Sequence, residues 1–282
     1  MMSAATYHFQ IGQFECLVIQ AHSSQTPVTR LLGDAPAQEV EAVARQYGLD
    51  PQALDFSMNI LLVKAGSHTA LIDTGVRDIG LPEKLRDQGI DPAAIDIVIV
   101  THGHRDHVDG IFDAAGNFVY PNARHVISKR EYDHWLAPEQ LAQAEKNPAV
   151  AVWKRLQDRR DRIELIGSET DEEIEVVPGV CAIRAPGHTP GHLAVRIESG
   201  GDRLLHVVDV AHTFVQVARP EWSPSFDYDK PQAIETRRRL FERAARDRAL
   251  VLAYHFTFPG LGRVVTEGNT LRWTSLQTLP TG

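Results

Sequence analysis

Four side chains able to bind a metal ion fall within six residues, in Thr101-His102-Gly103-His104-Arg105-Asp106-His107. They follow Ile95 to Val100 (IDIVIV), a mostly β-branched run that predicts a buried strand. In an extended segment alternate side chains share a face, so His102 and His104 can reach one ion together. The chain then turns, and Asp106 and His107 can address a second ion a few ångströms away. Gly103 lets the backbone pass close to the metals. Imidazole with carboxylate suits zinc or a similar divalent ion.

Further ligands must come from elsewhere. Gly187-His188-Thr189-Pro190-Gly191-His192 is a glycine-flanked turn just before an apolar run. Asp209 ends a hairpin-like segment, His192 to Asp209, much as Asp73 ends Asn59 to Asp73. His255 follows the apolar stretch ALVLAY. Each is a polar residue at the end of a candidate strand. Cys16 and Cys181, the only cysteines, lie in apolar stretches and read as core thiols, leaving no disulfide framework and no multi-cysteine zinc module.

The elements that must position these groups are α/β in kind. Tyr7 to Gln20 reads as two strands about a Gly12 turn, and Asn59 to Asp73 as a hairpin about Gly66-Ser67. Helices are expected over Pro36–Tyr47, Leu81–Gln88, Lys129–Leu136, Gln140–Arg160 and Lys230–Arg248. The two hairpins that each end in an aspartate suggest a duplicated half. With 282 residues and no linker-like segment, one domain over 1–282 is expected, its core from about Tyr7 to Trp273.

Together THGHRDH, GHTPGH, an aspartate after the second hairpin, a late histidine and the Asp73-Thr74-Gly75 turn resemble the metallo-β-lactamase-fold hydrolase superfamily. The order LIDTG, THGHRDHVDG, YPNA, APGHTPGH and HFTFPGLGR is similar to its methyl parathion hydrolase and lactonase branch. The resemblance implies a four-layer αββα sandwich with two divalent metal ions, zinc foremost, at one edge of the sheets. It implies that His102, His104 and His188 hold one metal, that Asp106, His107 and His255 hold the other, and that Asp209 bridges both. Asp73 would orient a ligand histidine. The implied reaction is attack of a metal-bound hydroxide on a small lactone or ester, with organophosphate hydrolysis as a side activity. Asp106 or Asp209 would relay the proton. His212 would assist catalysis where related lactonases place a tyrosine. Two departures stand out: Val208 precedes Asp209 where glycine is usual, and the loop VRDIGLPEKL has no aromatic residue where parathion-type enzymes use them.

Composition narrows the alternatives. A net charge of −8 disfavours capture of a polyanion, so neither nucleic acid nor membrane is an expected partner. The expected partner is a small-molecule substrate, with a homodimer left open. The arginine cluster Arg237, Arg238, Arg239, Arg243, Arg246 and Arg248 has Glu235 and Glu242 at i,i+4 spacing, which predicts a solvated helix face and not a nuclease surface. A glyoxalase II-like thioesterase shares the metal motif and is the alternative. Phe214, Trp222, Phe226, Phe256, Phe258 and Trp135 are candidates for an apolar pocket wall. Without a leader-like start the expected location is cytoplasmic.

Overall fold

The computed structural model describes residues 5–143, 146–168, 170–268 and 270–276. The first sheet is built from β1 (Thr6–Ile11), β2 (Phe14–Thr26), β3 (Leu54–Ala65), β4 (His68–Ile72), β5 (Ile97–Val100), β6 (Arg124–Ser128) and β7 (Ile163–Ile166), in that order. The second takes β8 (Glu173–Val177), β9 (Val180–Arg184), β10 (Leu193–Ser199), β11 (Asp202–Val208), β12 (Leu250–Ala253), β13 (Leu261–Glu267) and β14 (Thr270–Ser275), again in consecutive order.

Period-two alternation explains why the sheets stack. In β5, Ile97 and Ile99 enter the layer between the sheets, while Val98 and Val100 face the helices outside. In β12, Leu250 and Leu252 point inward and Val251 and Ala253 outward. A strand buried on both faces cannot show an apolar–polar alternation, hence the unbroken runs. The longer helices are α1 (Ala37–Gln46), α2 (Leu81–Asp87), α3 (Lys129–Trp135), α4 (Pro148–Asp158) and α5 (Lys230–Arg246). Helices α2 and α4 cover the outer face of the first sheet, and α5 covers that of the second. The order helix, sheet, sheet, helix is the expected four-layer sandwich.

The helix expected over Gln140–Arg160 is divided. A single turn at Pro138–Leu141 is separate from α4, and residues 144 and 145 lie outside the described set. Asn147 restarts the helix, its side chain accepting the Ala149 N–H at 3.1 Å with Pro148 in the first turn. No helix among the described residues is long and apolar enough to cross a membrane.

Strand direction decides where the chemistry collects. Strand β4 runs parallel to β5, and β11 parallel to β12. Their C-terminal ends, which lead into Asp73, His102, Asp209 and His255, therefore leave each sheet at a common edge. Antiparallel β10 begins where β11 ends and delivers His188 to that edge.

Candidate metal centre

Asp209 stands at the middle of the site and is buried. Its Oδ2 faces Nε2 of His212 and His255 at 3.3 Å, of His107 and His188 at 3.4 Å and of His102 at 3.6 Å. His104 Nδ1 lies 3.1 Å from His102 Nε2 and 2.9 Å from His188 Nε2. Asp106 Oδ2 approaches His255 Nε2 at 3.5 Å and His107 Nε2 at 3.7 Å. Thus His102, His104, His188 and Asp209 gather as one group, and Asp106, His107 and His255 as a second beside it. A third group joins Asp209, His212 and His255, so His212 lies at the centre and not on an exposed loop.

Outward hydrogen bonds fix which nitrogen faces inward for His102, His107, His188 and His255. His255 Nδ1 donates to the Ser57 carbonyl at 2.9 Å, and a carbonyl can only accept. Its Nε2 therefore presents a lone pair to the centre. His107 Nδ1 donates to Asp73 Oδ2 at 2.8 Å, the orienting role expected for Asp73. Asp73 also accepts the Thr101 N–H and hydroxyl at 2.8 and 2.7 Å. With its proton given to Asp73, Thr101 Oγ1 can accept from His102 Nδ1 at 3.2 Å. His188 Nδ1 donates to Asp227 Oδ1 at 2.9 Å. His192 is not among the converging rings: its Nε2 accepts the Asp209 N–H at 3.3 Å.

These residues fit a pair of divalent ions. Ligands about 2.0–2.1 Å from a tetrahedral ion lie roughly 3.3 Å apart, in the range of the separations above. His107 Nε2 and Asp209 Oδ1 are buried with no hydrogen-bond partner. Charge points the same way. Burial raises the Asp209 carboxyl, but His255 and His107 outweigh it and hold the group well below its ordinary value. Burial lowers His107, but Asp209, Asp106 and Asp73 carry it well above the usual imidazole value. Burial drives His104 down to about 3, helped by His188. The carboxylates thus draw positive charge into a buried pocket, which a bound cation would supply without protonating its ligands.

Several expectations need correction. A Cβ on Gly103 would lie 2.0 Å from Trp135 Nε1, so close packing against α3 also requires glycine here. Trp135, Phe256 and Trp222 are buried; the Trp135 ring stands edge-on to His104 at 5.9 Å, and Phe256 lines a cavity with Phe214. Phe226 alone of the aromatic candidates is exposed, with its ring edge-on to His212 at 4.9 Å. Arg237 is no part of a solvated face. It is fully buried and donates to the Val210 and Pro220 carbonyls at 2.7 Å and to Asp227 Oδ2 at 3.2 Å. Arg239 and Arg246 find Glu172 and Asp247 as partners in place of helix neighbours four residues back. Val208 sits at φ +53°, a left-handed conformation that strains a β-branched residue and suits glycine. Asp227 and Tyr254, whose hydroxyl donates to the Asp106 carbonyl at 2.7 Å, carry no signal in the sequence, and Arg237 reads there only as part of the arginine cluster. No spacing marks them, because their partners lie far away in the chain.

Residues 54–255 match the profile of the Metallo-beta-lactamase superfamily, and the chain belongs to that superfamily. A curated relative is N-acyl homoserine lactonase AttM of Azorhizobium caulinodans, 29% identical over 140 residues, 48% of this chain and 49% of the relative. The chain thus spans about half the length of the AttM relatives it matches. The crystal structure of hydrolase AbOPH in the beta lactamase superfamily is similar over 98% of this chain and 99% of that one, with 27% identity and a TM-score of 0.87. AidC, a dizinc quorum-quenching lactonase solved with its product N-hexanoyl-L-homoserine, shares the fold over 97% of this chain and 98% of its own at 24% identity and a TM-score of 0.85.

Proposed function

We propose that this chain is a two-metal hydrolase of small lactones or esters with an apolar acyl or aryl group. The observation that carries the reading is the convergence of five imidazoles on one buried carboxylate oxygen, Asp209 Oδ2. His102, His104 and His188 would hold one ion and Asp106, His107 and His255 the other, with Asp209 between the two groups. Zinc matches this nitrogen-rich set. When bound, such a pair supplies Lewis acidity and an activated water.

The protein's own groups do the rest. Asp73, Asp227 and the Ser57 carbonyl keep Nδ1 of three histidines protonated, so their Nε2 atoms stay directed at the centre. Asp106, on the more open side, can take a proton at its carboxylate. His212, whose Nε2 lies 3.3 Å from Asp209 Oδ2, would hydrogen-bond a substrate oxygen beside the centre. Exposed Phe226, packed against the His212 and His188 rings, offers an apolar wall beside that oxygen. The relatives named as N-acyl homoserine lactonases support the lactone class.

A hydrolysis panel on zinc-loaded protein tests the reading, with acyl-homoserine lactones, aryl esters, a glutathione thioester, paraoxon-type triesters and a β-lactam. Lactones and esters should turn over, with organophosphates slower. Efficient turnover of the thioester alone would favour the glyoxalase II-like alternative and sink the lactone assignment.

A further inference from the structure

We propose that Glu131 is a positioning residue, whose carboxylate locks the loop of His102 and His104 to the loop of His188. The inference rests on the metal reading above. Glu131 is fully buried on α3. Its Oε1 accepts the Gly103 N–H at 2.8 Å and the Trp135 Nε1–H at 2.7 Å. Its Oε2 accepts the Thr189 hydroxyl and the Gly191 N–H, each at 2.8 Å. Gly103 lies between His102 and His104, and Thr189 follows His188.

A carboxylate offers about four acceptor sites. All are engaged, so Glu131 has nothing left for a metal or substrate, and its influence passes through the loops. The first loop leaves β5 of one sheet and the second enters β10 of the other. The carboxylate therefore joins the two halves of the sandwich at the edge where the ligands meet. Backbone contact is tight on both sides: a Cβ at Gly103 would lie 2.0 Å from Trp135 Nε1, and one at Gly191 2.2 Å from the Glu131 nitrogen. The 2.9 Å approach of His104 Nδ1 to His188 Nε2 depends on both loops at once. Ligand constellations tolerate errors of only about 0.5 Å, so a joint between the loops sets the affinity of this group.

Glu131→Gln tests the joint. It keeps the shape but turns an amide NH₂ toward donors on one side, which costs that loop its bonds. Zinc affinities are read by competition with a chromophoric chelator in the wild type, Glu131→Gln and Val126→Ala, a buried-core control in β6 compared by melting temperature. The expected result is two zinc ions in the wild type, about 10–100-fold weakening of one of them in Glu131→Gln, and unchanged affinities in Val126→Ala. Wild-type affinities in Glu131→Gln would overturn the inference while leaving the metal centre intact. Equal weakening in the control at equal loss of melting temperature would also overturn it. A wild type that takes up no zinc would overturn the metal reading and this inference with it. If Glu131→Gln does not fold, Thr189→Val, which removes one bond from the His188 loop, decides: weakening of one zinc supports the joint and unchanged affinities reject it.

Discussion

At Asp209 a single carboxylate oxygen faces five imidazole nitrogens at 3.3–3.6 Å. Removing that oxygen should release both ions and not one. Asp209→Ala is expected to carry less than one zinc per chain by elemental analysis. Its hydrolysis should fall by more than the roughly 10–100-fold that follows loss of an outer hydrogen-bond partner. Retention of two ions would refute the bridging role. The same residue-scale reasoning excludes a thiol nucleophile. Burial pushes Cys16 up to about 12, and burial also raises Cys181, so neither offers appreciable thiolate near neutral pH. A thiol-alkylating reagent applied to the native, metal-loaded protein should leave its turnover unchanged. Inactivation with both metals retained would contradict this.

At the scale of elements, α5 is the clearest case of sequence pattern and packing pointing different ways. Its arginine-rich composition reads as solvated, and its exposed arginines are. Arg237 instead turns inward to satisfy Asp227 and the carbonyls of Val210 and Pro220, in the segment that follows Asp209. Asp227 in turn holds His188. Helix α5 thus steadies His188, a candidate metal ligand, two contacts away. Arg237→Met would fill similar volume but leave Asp227 Oδ2 and the Val210 and Pro220 carbonyls without their guanidinium donor. Losing one partner of a buried pair costs about 3–5 kcal/mol, on the order of 10 °C in melting temperature for a chain of this size. Calorimetry measures the loss. A shift under about 2 °C would show that water replaces the guanidinium without penalty.

For the whole molecule, acid stability depends on buried imidazoles of the sandwich as well as on those at the centre. His125 on β6 is buried and stacked on Phe118 at 4.7 Å, and burial lowers it to about 4. Unfolded, the ring takes its proton near its ordinary value of about 6.5. Between these values the unfolded chain binds the extra proton, so stability rises with pH across that window. The contribution is fully present above about pH 6.5 and is lost as pH falls toward 4, at most about 3 kcal/mol. Urea unfolding of His125→Leu at pH 7.5 and 5.0 should show a smaller acid loss than the wild type. An equal loss in both would place the sensitivity elsewhere. The sequence by itself determined a good deal at this scale. The run through Ile95–Val100 marked a buried strand and ALVLAY a candidate strand, each with a polar residue at its end, while the edge position of the site came from the family resemblance. The spacing in His102–His107 pointed to metal chemistry because neighbouring residues of one chain cannot separate far. What only the tertiary structure decided concerns partners distant in sequence. Glu131 meets Gly191 across 60 residues, and Asp227 meets His188 across 39. Local periodicity carries no trace of such pairs, because which strand ends share an edge follows from strand direction and the stacking of two sheets. The inward turn of Arg237 and the placement of His212 at the centre have the same origin. Each side chain's role depends on what the opposite half of the sandwich presents to it.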